Sequence, residues 1–406
     1  MRFLLCGRGT SEILWSIQAA LVDLGHDSVL ALPDISQEVI DRPIDALFVL
    51  NLFEIPRDTV EMLLAYIATF GRRPAVVHIC LNHPVEEIGA HTVEEVGETD
   101  RWMERHGVSM WCMCPAAAAQ AARMGLSRVF HEPLGLHRWI YLARAADGTS
   151  DLYKRWMSQD APGLVRHPYA AMTGDADGDT GEGAINDRFL YLGQGWPDHV
   201  AAAPSDPAVA AAAGTVAGIM RDRPDLHRLQ AMDLCGLTER STDPAWTLAF
   251  NRAFTIAFAV ENRRRFASAL RRAFGETFLL RGNGWDRLGI QAGPVSAALR
   301  NAYGTAAACL DFGSLAYDTA IFPRPLEILK RNGLLVGWRH GDSARLFGPQ
   351  EADLTFTDEA DTLRVLTALA DDADRRALLR QAHLDWAFDA LALTAILPRI
   401  ISRLRE

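Results

Sequence analysis

The run FPRPLEILKRNGLLVGW, Phe322 to Trp338, decides the fold, because it carries a helix into a strand through a single glycine. Pro323 and Pro325 hold an extended approach, and Pro325 can open the helix, where its fixed φ fits and its missing N–H is not needed. Gly333 ends the helix, and Leu334 to Gly337 reads as a strand. A helix followed at once by an apolar strand is the repeating unit of a parallel sheet covered on both faces.

Outward from this run the same beat recurs. Upstream, Phe189 to Leu192, Thr277 to Leu280 and Ala307 to Leu310 read as strands, and residues from about 206 to 273 are mostly helical and alanine-rich. Downstream, Asp358 to Ala370, Asp374 to Ala382 and Leu384 to Leu404 read as helices. The first 140 residues repeat the alternation independently. Strands are expected at Arg2 to Cys6, Ser28 to Leu32, Ile44 to Leu50, Ala75 to Leu81, Met110 to Cys114 and Arg128 to Glu132, with helices between them. Between the two series, Thr173 to Gly183 (TGDADGDTGEG) has no apolar period and is expected to be a surface loop. Its acidic spacing resembles a calcium loop but lacks the glutamate needed at position twelve. The expected architecture is α/β: a Rossmann-like domain over 1–140, a linker over 141–187, a second Rossmann-like domain over 188–385 with a helical insertion at about 206–273, and a closing helix over 386–406.

Composition narrows the function classes. A length of 406 residues exceeds one ordinary core at about 150 residues per domain. The net charge of −10 argues against a nucleic-acid partner held by phosphate neutralisation. The basic runs Arg263-Arg264-Arg265 and Arg271-Arg272 are expected to be a solvated helix face. No stretch approaches the roughly 20 apolar residues of a membrane span, and no signal peptide is apparent. Six sparse cysteines in apolar runs suit a reducing compartment, so a cytoplasmic location is expected. Cys112 and Cys114 have no second pair to complete a zinc site.

Several residues can carry chemistry. Gly7-Arg8-Gly9 lies between a strand and a helix, where backbone amides can approach an anion. Glu12 stands where a dinucleotide fingerprint needs glycine, so a redox cofactor is disfavoured. Gly193-Gln194-Gly195-Trp196 repeats that logic at the second domain, and Trp196 and Trp285 can either stack on a ligand or plug the core. Arg324 supplies a fork suited to a diphosphate. Glu327, expected in the first helical turn, can accept two hydrogen bonds from a ribose diol or act as a mere cap. His78 and His83 flank the end of the fourth strand and are candidate bases, as are Glu86 and Glu87; a buried structural role is the competing reading for His78. His340 and Asp342 follow the strand that ends at Gly337 and can touch a donor sugar. No Asp-x-Asp pair sits at a strand end; Asp175 and Asp177 lie in the acidic loop, so no metal is expected.

With these residues in view, the ordered set resembles the donor-site signature of GT-B glycosyltransferases, in the branch similar to spore-maturation (CgeB-like) proteins. The set comprises Leu190-Tyr191-Leu192-Gly193, Arg281-Gly282-Asn283-Gly284-Trp285, Ala302-Tyr303, Phe322 to Trp338, Arg345-Leu346-Phe347 and Asp371 to Ala382. Glu132 to His137 resembles the segment that ends the first domain in that fold. The resemblance implies two Rossmann-like domains facing each other across a cleft. It also implies a metal-independent hexosyl transfer from a UDP, GDP or dTDP sugar to an unknown acceptor (glycan, lipid-linked sugar or protein), with no further cofactor. It gives the ribose to Glu327 and the diphosphate to Arg324 with the Gly193 and Gly195 amides; Trp196, Gly282, Trp285 and His340 complete the expected donor site. Two positions depart from the branch: Thr319, with Asp318 beside it, and Asn82-His83 stand where carboxylates are common. A GT-B-shaped sugar-nucleotide epimerase and a catalytically silent scaffold are therefore the competing readings. The 206–273 region can supply acceptor contacts or a homo-oligomer surface.

Overall fold

Every residue of Arg2–Cys6 and of Ala46–Leu50 is buried, and apart from Arg2 both strands are apolar on both faces instead of alternating. The computed structural model describes residues 1–7, 12–31, 42–137, 188–197, 206–295, 299, 302–317 and 319–404. The acidic loop, the 141–187 linker, Arg8, Gly9 and Asp318 lie outside the described residues. The described residues form two units, one of 1–137, 239–245 and 391–404, the other of 188–238 and 246–390.

The first unit is built on a six-stranded parallel sheet. Its strands are β1 (Arg2–Cys6), β2 (Asp27–Ala31), β3 (Ala46–Leu50), β4 (Ala75–Cys80), β5 (Val108–Cys112) and β6 (Val129–His131), in the order β2-β1-β3-β4-β5-β6. β5 starts two residues before the apolar run Met110–Cys114 and ends at Cys112. Cys114 is instead the extended N-cap of helix Pro115–Arg123, with Pro115 in its first turn, so the chain has already left the sheet. The closing helical run is two helices, Ala373–Ala390 and Leu393–Arg403. Between them Leu391 O accepts from Leu136 N at 2.7 Å and Leu393 N donates to Leu136 O at 2.8 Å. That pairing with an extended segment of the first unit interrupts the helix.

The second unit holds β7 (Phe189–Leu192), β8 (Phe278–Arg281), β9 (Ala308–Asp311), β10 (Leu335–Trp338) and β11 (Thr355–Phe356), all parallel, in the order β11-β10-β9-β7-β8. β11, with two residues, has no counterpart in the sequence reading. The chain crosses from β8 on one side of β7 to β9 on the other. The carboxyl ends of β7 and β9 therefore flank a topological switch point, where open α/β sheets bind ligands. Beneath it Tyr191 stacks on Phe312 at 4.3 Å, and Phe312 contacts Phe266 and Phe356. No helix among the described residues is long and apolar enough to cross a membrane.

Candidate functional site

Arg324 sits at the β7/β9 switch point because helix Pro323–Lys330 begins there. Pro323, not Pro325, takes the first helical position, and this moves Glu327 out of the first turn, so the capping role expected for it does not apply. The Arg324 Nη1 donates to the Tyr191 hydroxyl at 2.9 Å and to Asp311 Oδ1 at 3.0 Å, and the guanidinium lies over the Tyr191 ring at 4.9 Å. Burial opposes its charge, but Tyr191 and Asp311 beside it hold its pKa above the ordinary arginine value.

Arg263 completes the cluster from the opposite side. Its Nε donates to the same Tyr191 hydroxyl at 2.9 Å, and its Nη2 donates to Gly313 O at 2.6 Å. This residue was expected on a solvated face, yet it is fully buried. Phe266, Ala267 and Leu270 follow it at i+3, i+4 and i+7, so Arg263 falls on the buried face of its helix. Arg264 and Arg265 stay outward, paired with Glu261 and Glu359. Burial pushes the Arg263 pKa down, and the Arg324 charge adds to that. Two guanidinium groups therefore meet one carboxylate, Asp311, which leaves one positive charge in surplus at the switch point.

Gly193 follows β7 and faces this cluster. A Cβ there would overlap the Arg324 Nη2 and lie 2.8 Å from its Cζ, so only glycine lets the arginine reach the sheet end. The expected role of the Gly193 and Gly195 amides as diphosphate donors does not hold. Gly193 N donates to Arg281 O and Gly195 N to Asn283 O, each at 2.9 Å. Gly282, at φ 139°, packs directly on Gly193 O. Trp285 is buried, its indole N–H donates to Gly193 O at 2.8 Å, and its ring fills the space a side chain at Gly195 would need. It is a wedge that shapes the loop and is not a stacking platform. Trp196 is half-buried beside Gly284.

Glu327 pairs with Arg331 through Oε1 at 3.2 Å, and its side chain is 24% exposed. Its Oε2 has no hydrogen-bond partner among the described residues. His340 is buried: its N–H donates to Ser343 Oγ at 2.8 Å and its Nδ1 accepts from Asp342 N at 3.2 Å. Thr319 is buried too.

In the first unit, Gly7 ends β1 where a Cβ would meet Leu14 Cδ1 at 3.0 Å and Leu50 Cβ at 3.2 Å, so its glycine is needed for packing. His83 caps helix Pro84–Ile88. Its Nδ1 accepts from Val85 N at 3.3 Å and its Nε2 lies 3.2 Å from Gln120 Oε1. With both ring nitrogens occupied, it is not poised as a base. His78 is fully buried, edge-on to Phe53 and 3.4 Å from Glu87 Oε2. Glu87 also accepts from Leu81 N at 3.0 Å and Asn82 N at 2.7 Å. Burial works against its charge, but the His78 contact and these amides hold its pKa below the usual range. Glu86 is exposed on the same short helix.

Tyr191, Asp311 and Arg263 are the site residues that sequence reasoning missed. Tyr191 is the one hydroxyl in an otherwise apolar strand, and Asp311 directly follows the run Ala307 to Leu310. A polar tip inside a buried strand and a carboxylate at its carboxyl end are the signals that could have found them.

Residues 262–387 match the sequence profile of a family described as glycosyl transferase-like. Among solved structures the chain is similar to a T4 phage BGT mutant in complex with UDP-glucose, with 9% identity and a TM-score of 0.50 over 100% of this chain and 99% of that one. Anabaena Alr3699/HepE in complex with UDP and glucose aligns at 9% identity and a TM-score of 0.43, over 100% and 99% of the two chains. A glycosyltransferase from Rickettsia africae aligns at 9% and 0.42, over 100% and 97%. No curated protein matches the chain. The likeness to the T4 phage structure is one of fold: two parallel-sheet α/β domains of the GT-B class.

Proposed function

We propose that the chain is a glycosyltransferase that holds a nucleoside-diphosphate sugar on its second unit, with Arg324 at the diphosphate and Glu327 at the ribose. The surplus positive charge at the β7/β9 switch point is the observation that supports it most directly, because a site short of one negative charge suits an anion. The profile match over residues 262–387 includes both Arg324 and Glu327, and the T4 phage protein of the same fold is bound to UDP-glucose. Within the glycosyltransferases, the motif order favours the CgeB-like branch.

Charge develops on the departing diphosphate as its bond to the sugar breaks, and a guanidinium fixed beforehand by Tyr191 and Asp311 stabilises it without reorganising. In this reading Arg324 meets that charge without a metal ion. The open Oε2 of Glu327, with Oε1 released from Arg331, gives the pair of acceptors that a ribose diol needs. The acceptor is assigned to the first unit, where Glu86 is the candidate base because His83 is occupied as a cap.

Thermal-shift titration with UDP, GDP and dTDP tests this reading. One of the three is expected to stabilise the chain, and Arg324→Ala and Glu327→Ala should each weaken it about tenfold or more, as befits a lost charge-assisted hydrogen bond. Unchanged affinity in both variants would refute the assignment. Incubating the matching sugar nucleotide without an acceptor should leave the sugar's configuration intact; its epimerisation would favour the epimerase reading.

A further inference from the structure

A second concentration of positive charge lies along the outer side of β8, the edge strand of the second sheet. There Arg188, Arg271 and Arg281 line a cleft of about 650 Å³ together with Glu276, Gly275 and Gly293. None of these belongs to the Arg324 cluster. Arg188 directly precedes β7, Arg271 lies in the last turn of helix Glu261–Phe274 and Arg281 ends β8, so three separate elements send a cation to one place. Arg188 and Arg271 form no ion pair among the described residues; Arg271 donates to the Gln291 carbonyl, which leaves its charge uncancelled. Arg281 Nη1 donates to Leu280 O at 2.9 Å. Arg188 and Arg271 outnumber the single carboxylate of Glu276, which leaves this part of the lining positive in a chain whose net charge is −10.

The helix C-terminus accounts for Arg271 alone, since a cation there complements the dipole. It does not account for Arg188 or Arg281. The volume falls in the range of small-molecule sites, about 300–1,000 Å³, and exceeds what inorganic phosphate requires. Glycine backbone at 275, where nothing lies within 4 Å of the missing side chain, lets a ligand approach the wall closely. We propose that this cleft is a second anion site, separate from the donor site, that takes a ligand bearing two phosphate groups. The guanidinium forks of Arg188 and Arg271, sent from two separate elements, can each match the oxygens of one phosphate group.

The test uses the full chain and two probes, inorganic pyrophosphate and glucose 1,6-bisphosphate, titrated by calorimetry. Both wild-type protein and Arg324→Ala should bind one of them, because the cleft does not involve Arg324. The double variant Arg188→Gln/Arg271→Gln keeps the side-chain stems and should weaken that binding about tenfold or more while leaving nucleotide affinity unchanged. Glu276→Gln removes the opposing charge and should tighten binding about threefold. Tighter binding of the bisphosphate identifies an organic phosphate as the ligand; equal or tighter binding of pyrophosphate identifies the free anion. Binding lost in Arg324→Ala but kept in the double variant, or no binding of either probe, would overturn the proposal. Failure of the donor assignment would show separately, as unaltered nucleotide affinity in Arg324→Ala.

Discussion

Arg263 and Arg324 donate to the same atom: the Nε of the first and the Nη1 of the second each lie 2.9 Å from the hydroxyl oxygen of Tyr191. One phenol thus holds a fully buried cation and a rim cation in fixed register. Tyr191→Phe keeps the ring stacked on Phe312 but leaves the Arg263 Nε buried without its acceptor. The expected cost is about 1–3 kcal/mol of stability, with weaker nucleotide binding as Arg324 loses one of its two anchors. Urea unfolding and nucleotide titration of this variant check both; an unchanged midpoint would show that the shared hydroxyl matters little.

Gly193→Ala probes the same rim from the backbone side. The added methyl overlaps the Arg324 guanidinium, which must swing away. Nucleotide affinity should fall to the level of Arg324→Ala, while circular dichroism stays that of the wild type. Retention of full affinity would mean that the arginine does not need its observed position.

Much of this arrangement is legible in the sequence, and the exceptions have physical causes. Strands such as Phe189–Leu192 stand out because burial on both faces removes polar residues, whereas the helix expected to stop at Gly333 ends at Lys330, with Asn332 and not the glycine in the left-handed turn. β5 is displaced because its apolar run continues past the sheet into the cap at Cys114, while Ser109 masks its start. The inward turn of Arg263 goes unread because its charge argues for solvent, although Phe266, Ala267 and Leu270 at i+3, i+4 and i+7 place it on the buried face. The occupation of the Gly193 and Gly195 amides depends on Arg281 and Asn283, about 90 residues away in sequence, and no local pattern announces it.

Glu87 gives a pH-dependent prediction. Its folded pKa is depressed, so its stabilisation is present above the ordinary value of 4.5 and is lost as pH falls through the lower folded value. Glu87→Gln should cost about 1–3 kcal/mol at pH 7, and the gap to wild type should narrow below about pH 4.5. Denaturant unfolding at pH 7 and pH 4 measures this; a constant gap would contradict the role of the charge.

His383 has the opposite sign of charge and a related consequence. It is fully buried, its Nε2 lies 3.1 Å from Leu346 O, and burial lowers its pKa from 6.5 to about 4. Between those values the unfolded chain takes up a proton that the folded chain refuses, so stability falls as pH drops from 6.5 toward 4. At pH 5 this amounts to about 2 kcal/mol, and His383→Gln should lack that slope. Parallel pH profiles for the two proteins would rule it out.

The central assignment is that the Arg324 guanidinium meets a diphosphate. Calorimetric titration of UDP and of uridine into wild-type protein and Arg324→Ala separates that contact from recognition of the nucleoside. UDP affinity should fall about tenfold or more in the variant, with uridine unaffected. Equal losses for both ligands, or none for UDP, would contradict it.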